Sequence, residues 1–424
     1  MNKKSFLYFI CCVAAMGGLL FGYDWVVIGG AKPFYEAYFN IADNAVMQGW
    51  AMTTANLGCL VGAMVAGMMA DRYGRKPLLT TASVLFLTSA IATGAFNDFT
   101  MFNLARFWGG IGIGLASALS PMYIAEVAPA DIRGKLVSLN QMTIVLGILG
   151  AQVVNMLLAR EVANPQDILN SWNGQWGWRW MFWAEAVPAT LFLVLSLFIP
   201  ESPRYLTMKS AAQPAATAVK GESRWQLPHI GGGLLLFGLV IAVFQQWCGT
   251  NVIFNYAEEI FTGAGYNVDS MFINIVVTGI ANVVFTFVAI FTVEKWGRRR
   301  LMLIGAGGLG LIYLTLGSCY YMQVEGIFMV VLVVLAISCY AMTLGPITWV
   351  LLSEIFPDKV RGVAMAICTF ALWVGCCTLT FTFPPLNEAL GTYGTFWIYS
   401  GVCICAFIYL YKVCPETKGK ELER

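Results

Sequence analysis

Two segments of the 424-residue chain repeat one polar pattern, Asp71-Arg72-Tyr73-Gly74-Arg75-Lys76 and, 223 positions later, Glu294-Lys295-Trp296-Gly297-Arg298-Arg299. Each reads acid, base, aromatic residue, glycine, arginine, base, and each separates two long apolar runs. A polar hexapeptide that returns in the same setting indicates that the chain is built from two related halves.

A second motif recurs at the similar offset of 228 positions. It consists of one acid, one proline and an Arg-Gly pair, at Glu126, Pro129 and Arg133-Gly134 and again at Glu354, Pro357 and Arg361-Gly362. Two motifs at nearly one offset predict two six-helix halves in parallel orientation. That arrangement is typical of transporters, whose substrate site lies between the halves.

The composition excludes several classes of protein. Only 11% of the residues are charged and 58% are hydrophobic, whereas a soluble globular domain has about 25% charged residues. Soluble enzymes and disordered proteins are therefore excluded. The net charge of +2 offers no basic surface to a nucleic acid. The twelve cysteines lie mostly in apolar runs and are expected to be free thiols. With a single histidine, His229, neither a metal site nor a cofactor is predicted.

Twelve apolar runs are long enough to cross a bilayer, since a membrane-spanning helix needs about 20 apolar residues. We number them as spans 1 to 12, and they lie at 6–31, 47–70, 77–96, 101–125, 135–159, 178–200, 231–257, 271–293, 301–321, 326–352, 361–384 and 394–413. The predicted fold class is an all-α membrane protein with twelve transmembrane helices in two pseudo-symmetric six-helix halves. The halves are 1–200 and 231–414, with a shortened cytoplasmic linker at 201–230 and a cytoplasmic tail at 415–424.

The distribution of Lys and Arg predicts the orientation. With the N-terminus inside, most of the 25 basic residues fall on the inner side, as the positive-inside rule requires. Lys32, Arg160 and Arg179 fall on the outer side, and Lys32 comes just beyond span 1. Both termini are therefore expected to be cytoplasmic.

Three charged residues, Asp24, Arg106 and Glu185, are predicted to lie inside the membrane. At about 1.5 Å per helical residue, all three come to a similar depth below the outer surface. An intramembrane charge marks a functional site by default. One interpretation is a structural ion pair that locks helix packing. The other is a proton switch, in which loss or gain of the Asp24 proton makes or breaks the pair with Arg106.

The repeated motifs bring acids and bases together at the inner ends of the helices. They predict a cytoplasmic gate of ion pairs, formed by Asp71, Arg75, Glu126, Arg133, Glu294, Arg298, Glu354 and Arg361. Positive-inside charge alone is the alternative, but it does not explain the matched acids. Because one exposed pair contributes about 0–1 kcal/mol, several are needed to bias a two-state equilibrium.

Further motifs resemble those of one family. They are Phe21-Gly22-Tyr23-Asp24, Gly109-Gly110-Ile111-Gly112-Ile113-Gly114, Pro121-Met122-Tyr123-Ile124-Ala125-Glu126, Pro200-Glu201-Ser202-Pro203-Arg204, Gln245-Gln246, Gly345-Pro346 and Pro415-Glu416-Thr417-Lys418-Gly419. Along essentially the whole chain they resemble the sugar porters of the major facilitator superfamily, and most of all the bacterial D-xylose/proton symporters.

This resemblance implies a function and a setting. It implies a proton-coupled monosaccharide importer that works by alternating access, as a monomer in the bacterial inner membrane. The implied partners are a monosaccharide, protons and the lipid bilayer, and no cofactor is implied. The proton-coupling role falls on the positions of Asp24 and Arg106, with Glu185 as a third candidate.

The sugar site is predicted from amides and aromatic rings, because amides pair with sugar hydroxyls and rings stack on the carbon face. Gln245 and Gln246 lie near the middle of span 7, and Asn251 follows them. Buried amides are energetically costly in a membrane unless they line a water-filled cavity or hydrogen-bond to a neighbouring helix as an interhelical clamp. The resemblance adds contacts at Gln141 and Trp349 and lining residues at Phe21, Tyr256, Asn282 and Trp373. Trp373 also fits a core position.

The chain departs from the family pattern at three places. Asn255 stands where the family has a tyrosine gate residue, and Leu372 stands where the xylose symporters have a glutamine that contacts sugar. The segment between the halves is shorter than in such symporters. The identity of the sugar therefore stays open between a xylose-like pentose and a hexose such as glucose.

Two other functions compete with a symporter. A facilitative sugar uniporter of the same fold needs no titratable switch, so Asp24 argues against it. A non-transporting sugar sensor carries a long cytoplasmic tail, and the sequence stops at Arg424, soon after span 12. A membrane enzyme is more remote, because the sequence shows neither a nucleophile–base pair nor a metal cluster.

Overall fold

The computed structural model describes residues 3–129, 132–160, 165–215 and 232–418, and within these ranges the chain forms helices and no strand. The first half contains α1 (Lys3–Phe39), α2 (Ala45–Tyr73), α3 (Arg75–Ala95), α4 (Phe99–Val127), α5 (Arg133–Leu158), a 3-10 helix (Pro165–Asn170), a π-helical turn (Asn173–Gly177), α6 (Trp178–Trp183), α7 (Ala186–Ser196) and α8 (Pro203–Ala215). The second half contains α9 (Gly232–Trp247), α10 (Thr250–Asn255), α11 (Ala257–Gly263), α12 (Val268–Trp296), α13 (Arg298–Tyr321), α14 (Ile327–Met342), α15 (Leu344–Ile355) and α16 (Asp358–Val413).

Two spans are interrupted, and a third is distorted, where the apolar run looks continuous in the sequence. In span 6 the backbone stays helical at Ala184 and Glu185, but its hydrogen bonds are irregular between α6 and α7. Span 7 breaks at Gly249, which has a φ of 87°, and span 10 breaks at Thr343. Pro346 follows Thr343 closely and has no N–H for the helical hydrogen bond, which favours a break there. In transporters such discontinuous helices surround the substrate.

The helices account for the predicted crossings. Ten helical segments in the described ranges are long and apolar enough to cross a membrane. One of them, Val363–Val413, is 51 residues long and contains Gly391 with a φ of 69°, so it covers spans 11 and 12. The short helices α6 and α7 together cover span 6, which is consistent with twelve crossings. The predicted linker begins with α8, and its remainder lies outside the described residues.

Glycines allow the helices of the first half to touch through their backbones. A Cβ atom on Gly110 of α4 would lie 2.0 Å from the carbonyl oxygen of Ala55 on α2. One on Gly62 of α2 would lie 2.2 Å from the carbonyl oxygen of Ile111 on α4. Small residues at helix interfaces are the usual means of close packing in a membrane, and here they hold α4 in the position that places Arg106.

We distinguish the two ends of the bundle by their residues. The basic end carries Arg75 and Arg298, which begin α3 and α13. The opposite end carries Asn44 and Asn267, whose side chains cap the first turns of α2 and α12. The two repeated hexapeptides therefore lie at the same end of the bundle, as the internal repeat predicts.

The two halves contact each other in the part of the bundle nearer the opposite end. Between α2 and α16, Asn56 Nδ2 donates to Thr380 Oγ1 at 3.2 Å. Between α5 and α12, Gln152 approaches Gly279 so closely that a Cβ atom there would lie 1.9 Å from Gln152 Oε1. These contacts join the halves on that side of the predicted substrate site.

The prediction that Lys32 lies beyond the end of span 1 is wrong. Helix α1 continues to Phe39, and Lys32 is a buried residue within it, only 2% exposed. The helix continues past a lysine because carboxylates surround the ammonium group, and paired charges can be buried where single ones cannot.

Candidate functional site

Helices α1 and α4 bring Asp24 and Arg106 into direct contact. Arg106 Nη1 donates to Asp24 Oδ1, and Arg106 Nη2 donates to the backbone oxygen of Asp24 at 3.1 Å. Both side chains are buried. Asp24 Oδ2 and Arg106 Nε have no hydrogen-bond partner among the described residues. The carboxylate is therefore paired at one oxygen and open at the other.

Glu185 belongs to the same buried group. It lies between α6 and α7, is 1% exposed, and is within electrostatic reach of Asp24 and Arg106. Its Oε1 has no hydrogen-bond partner in the described part of the chain. One guanidinium is thus within electrostatic reach of two carboxylates, and a proton on either carboxylate balances the charge of the group.

Gly109 leaves space at the open oxygen of Asp24. A Cβ atom at Gly109 would lie 3.0 Å from Asp24 Oδ2 and 2.3 Å from Ser89 Oγ. The Ser89 hydroxyl donates to the backbone oxygen of Ala105 at 2.9 Å. Any residue larger than glycine at position 109 would therefore crowd the carboxylate.

A chain of buried amides lies at the break in span 7. Gln245 Nε2 donates to the backbone oxygen of Gly345 at 3.3 Å, and Gln246 Nε2 donates to Gln245 Oε1 at 2.9 Å. Asn251 Nδ2 donates to Gln246 Oε1. The bond to Gly345 joins α9 to α15, so Gln245 acts in part as an interhelical clamp. Gln246 and Asn251 bond to neighbouring amides and retain further donors and acceptors.

One face of α1 meets the second half. The ring centroids of Phe21 and Trp373 are 6.1 Å apart, and those of Trp25 and Phe254 are 6.3 Å apart. Phe21 and Trp25 are one helical turn apart and share that face. The buried Nε1 of Trp25 has no hydrogen-bond partner among the described residues. Asp24 lies beside them on the same helix but contacts α4 instead.

Gln141 and Asn282 belong to α5 and α12, which pack against each other across the two halves. Gln141 shares the face of α5 that continues to Gln152 at the i+11 position, and Gln152 contacts Gly279. Asn282 is one turn beyond Gly279 on α12. The two predicted contacts therefore come from different halves and line the same interface.

Two further segments, in α15 and α16, lie beside the amide chain. Trp349 is one turn beyond Gly345, the backbone partner of Gln245. Leu372 is buried beside Trp373 on α16. One turn further, a Cβ atom on Gly375 would lie 3.7 Å from Gln246 Cβ. This part of α16 therefore packs on the helix that carries the amides.

Tyr256 lies apart from the amide chain. Its hydroxyl donates to the backbone oxygen of Thr380 at 2.7 Å, and its ring centroid is 4.4 Å from that of Phe383. The ammonium nitrogen of Lys32 lies 5.9 Å from the ring centroid. The structure thus places Tyr256 with the buried lysine toward the opposite end.

Two arginines of the basic end form ion pairs, each with acids of its own half. Arg75 Nη2 lies 3.0 Å from Glu126 Oε1 and 2.9 Å from Asp71 Oδ1. Arg298 Nη2 lies 2.9 Å from Glu354 Oε1 in the second half. The exposed Arg133 donates to the backbone oxygen of Ala128 at 3.4 Å. The side chains of Glu294 and Arg361 lie outside the described residues.

Sequence reasoning missed the role of two further acids at the basic end. Glu201 Oε1 accepts the first backbone N–H groups of α3, from Arg75 at 3.0 Å and Lys76 at 3.3 Å. Glu416 accepts those of α13, from Arg298 at 3.0 Å and Arg299 at 3.3 Å. A carboxylate at a helix N-terminus is stabilising.

The hydroxyl residues that follow these two acids make equivalent hydrogen bonds in the two halves. Ser202 donates to Glu126, and Thr417 donates to Glu354. Burial alone would raise the pKa of Glu416, but backbone N–H groups that donate to it hold this pKa below its usual value. The segments Pro200-Glu201-Ser202 and Pro415-Glu416-Thr417 are thus a third element of the internal repeat, and their shared Pro-Glu-hydroxyl pattern was the available signal.

Comparison with known proteins places the chain in a family. The model of the family described as "Sugar (and other) transporter" matches residues 10–230 and 233–424. The chain belongs to this sugar transporter family. The prediction of a transporter rather than an enzyme is confirmed, as is the resemblance to sugar porters.

Relatives of this sugar transporter align along almost their entire length. The D-xylose-proton symporter of Escherichia coli K12 is 37% identical, over 99% of this chain and 95% of the relative. The arabinose-proton symporter of Bacillus subtilis is 34% identical, over 100% and 95%. The glucose transport protein of Synechocystis is 35% identical, over 99% and 97%.

Solved structures confirm the predicted fold class of the transporter. A crystal structure of a D-xylose-proton symporter superposes with a TM-score of 0.86 at 36% identity, over 98% of this chain and 100% of that one. The E. coli xylose transporter in an inward open conformation superposes with a TM-score of 0.84 at 34% identity, over 98% of both chains. The protein is therefore a multi-pass membrane transporter of the major facilitator fold.

Proposed function

We propose that this transporter imports a monosaccharide together with protons, by alternating access. One observation carries the proposal. The buried Asp24 of α1 pairs with Arg106 of α4, and its Oδ2 has no hydrogen-bond partner among the described residues. The same helix α1 contacts the second half through Phe21 and Trp25. A proton-binding group and the predicted sugar-site wall therefore lie on one rigid element. The related proteins named as proton symporters for xylose and arabinose support this assignment.

In this mechanism the Asp24 proton controls the contact between α1 and α4. The ionised carboxylate holds the Arg106 guanidinium. Protonation of Asp24 weakens that pair, and Glu185 then offers the guanidinium a second carboxylate. Release of α1 from α4 allows Phe21 and Trp25 to shift against the second half, so proton binding and closure around sugar occur in the same helix.

The sugar is held between amides and rings. Gln246 and Asn251 supply bidentate donors and acceptors to its hydroxyls, and Gln141 and Asn282 contribute from the facing helices. Trp373, Trp349 and Phe21 supply apolar surface for its carbon face. This combination fits an aldopyranose, of the size of xylose or glucose.

The orientation follows from the charges. The basic end faces the cytoplasm under the positive-inside rule, so both termini are cytoplasmic. The resemblance to bacterial symporters places the protein, as a monomer, in the bacterial inner membrane. The halves are joined toward the opposite end by Asn56–Thr380 and Gln152–Gly279. In this orientation, these contacts close the bundle toward the outside.

The experiment that tests this function is competition of a panel of pentoses and hexoses for binding to the purified protein. We expect aldopyranoses of the size of xylose or glucose to compete. Binding of no monosaccharide in the panel would overturn the proposed substrate class.

Position 372 provides a test of specificity. Leu372 offers no hydrogen bond where the xylose symporters place a glutamine, so we expect Leu372→Gln to tighten xylose binding by about one hydrogen bond, about 0.5–1.5 kcal/mol. The measurement is the xylose dissociation constant of Leu372→Gln beside that of the unmodified protein. Equal or weaker binding would mean that position 372 does not face the sugar.

A further inference from the structure

A buried lysine joins the two halves at the opposite end. The Lys32 Nζ on α1 lies 2.7 Å from Glu259 Oε1 and 3.7 Å from Glu258 Oε2, both on α11 of the second half. On its own helix it lies 3.0 Å from Glu36 Oε1. Because Lys32 is almost fully buried, these three carboxylates replace the water that would otherwise solvate its charge.

The backbones of the two halves also touch beside this cluster. A Cβ atom on Gly29 would lie 2.8 Å from the carbonyl oxygen of Phe254 and 3.0 Å from that of Asn255. Gly29 lies three residues before Lys32 and so shares the same face of α1. The close approach at Gly29 is independent of the charges, and it shows that α1 and the α10–α11 segment are fitted to each other here.

We propose that Lys32 is an ionic latch for the opposite end: its pairs with Glu258 and Glu259 hold α1 against α11 and break when this end opens. The proposal rests on the proposed function, because a releasable latch is required only in a protein that alternates between two states. Lys32 is a positioning residue and has no role in contacting sugar.

The arrangement of the carboxylates suits release. Glu36 lies one turn from Lys32 on α1 and moves with it, so the ammonium keeps one partner after α1 and α11 separate. The side chains of Glu258 and Glu259 are 20% and 21% exposed even in the closed state, so water reaches them as the pairs break. Glu36 is therefore the matched control, since it contacts the same ammonium without joining the halves.

The latch predicts opposite responses at the two ends. When the latch is lost, the population shifts toward the state open at the opposite end, and rocking of the halves closes the basic end. Hydrogen exchange should then become faster near the latch and slower near Arg75 and Arg298. General destabilisation of the fold would instead make exchange faster at both ends.

The test is hydrogen-exchange mass spectrometry on the purified full-length protein with Lys32→Met, Glu259→Gln and Glu36→Gln. We expect Lys32→Met and Glu259→Gln to exchange several-fold faster in 250–263 and more slowly in the first turns of α3 and α13. We expect Glu36→Gln to resemble the unmodified protein. The charge swap that combines Lys32→Glu with Glu259→Lys should restore the original pattern.

Three results would overturn the latch: unchanged exchange in Glu259→Gln, faster exchange at both ends, or an equal shift in Glu36→Gln. If Lys32→Met does not fold, Glu259→Gln and its control decide the matter alone. The readout uses neither sugar nor a proton gradient. If no sugar in the panel binds, the proposed function is rejected, but the hydrogen-exchange result on the latch still stands. Likewise, a negative hydrogen-exchange result rejects the latch and leaves the proposed function intact.

Discussion

The Asp24→Asn variant is expected to bind sugar and exchange it across the membrane but to lose uphill accumulation completely. Asparagine has nearly the shape of a protonated aspartic acid and cannot release a proton, so the Arg106 pair stays weakened throughout the cycle. Sugar can still cross while the halves rock, but no proton accompanies it. The measurement is sugar accumulation in energised vesicles, beside exchange of labelled for unlabelled sugar.

The matched control for this variant is Asp98→Asn. Asp98 caps the start of α4 by accepting the Met101 N–H at 3.0 Å, and asparagine is an equally good helix cap. The Asp98→Asn variant therefore makes the same chemical change at the start of the helix that carries Arg106. Sugar accumulation should persist in it. Accumulation against a gradient by Asp24→Asn itself would mean that this residue does not couple protons to sugar.

The Gln246→Ala variant is expected to lose sugar affinity by about tenfold or more. The substitution removes hydrogen bonds to the sugar and also leaves Gln245 Oε1 and Asn251 Nδ2 without their partner. Unpaired buried polar groups cost about 1–3 kcal/mol. Titration calorimetry with the competing sugar measures the loss, and thermal unfolding verifies that the variant is folded.

The exposed Gln175 supplies the control for the binding measurement. Its amide donates to the backbone oxygen of Leu169 at 2.7 Å, far along the chain from the amide cluster. Gln175→Ala should leave affinity unchanged. If Gln246→Ala binds sugar as tightly as this control does, the sugar site lies elsewhere between the halves.

The sequence predicted the features that are repeated in the two halves and those that follow from the depth of a residue in the membrane. The hexapeptides at Asp71 and Glu294 predicted two halves, and ten apolar helical segments agree with the predicted spans. Counting residues from the ends of spans 1 and 4 predicted that Asp24 and Arg106 lie at one level. The structure places them in contact, although α1 continues to Phe39, beyond the end of span 1 that the count used. Such inferences succeed because each uses only local helix geometry.

The sequence could not predict features that depend on distant partners. Lys32 looked like an outer loop residue because its carboxylates Glu258 and Glu259 come from the other half of the chain. Tertiary packing decides where a membrane helix stops being regular.

We propose that sugar and protons cross together through one site that depends on Asp24. The most direct test places the unmodified protein in liposomes that hold a pH-sensitive dye and no ion gradient, and then adds a sugar that competes in the binding panel. We expect sugar entry to acidify the interior, and in Asp24→Asn liposomes we expect radiolabelled sugar to enter without a pH change. Entry of sugar through the unmodified protein with no acidification would contradict this proposal and would establish a uniporter instead.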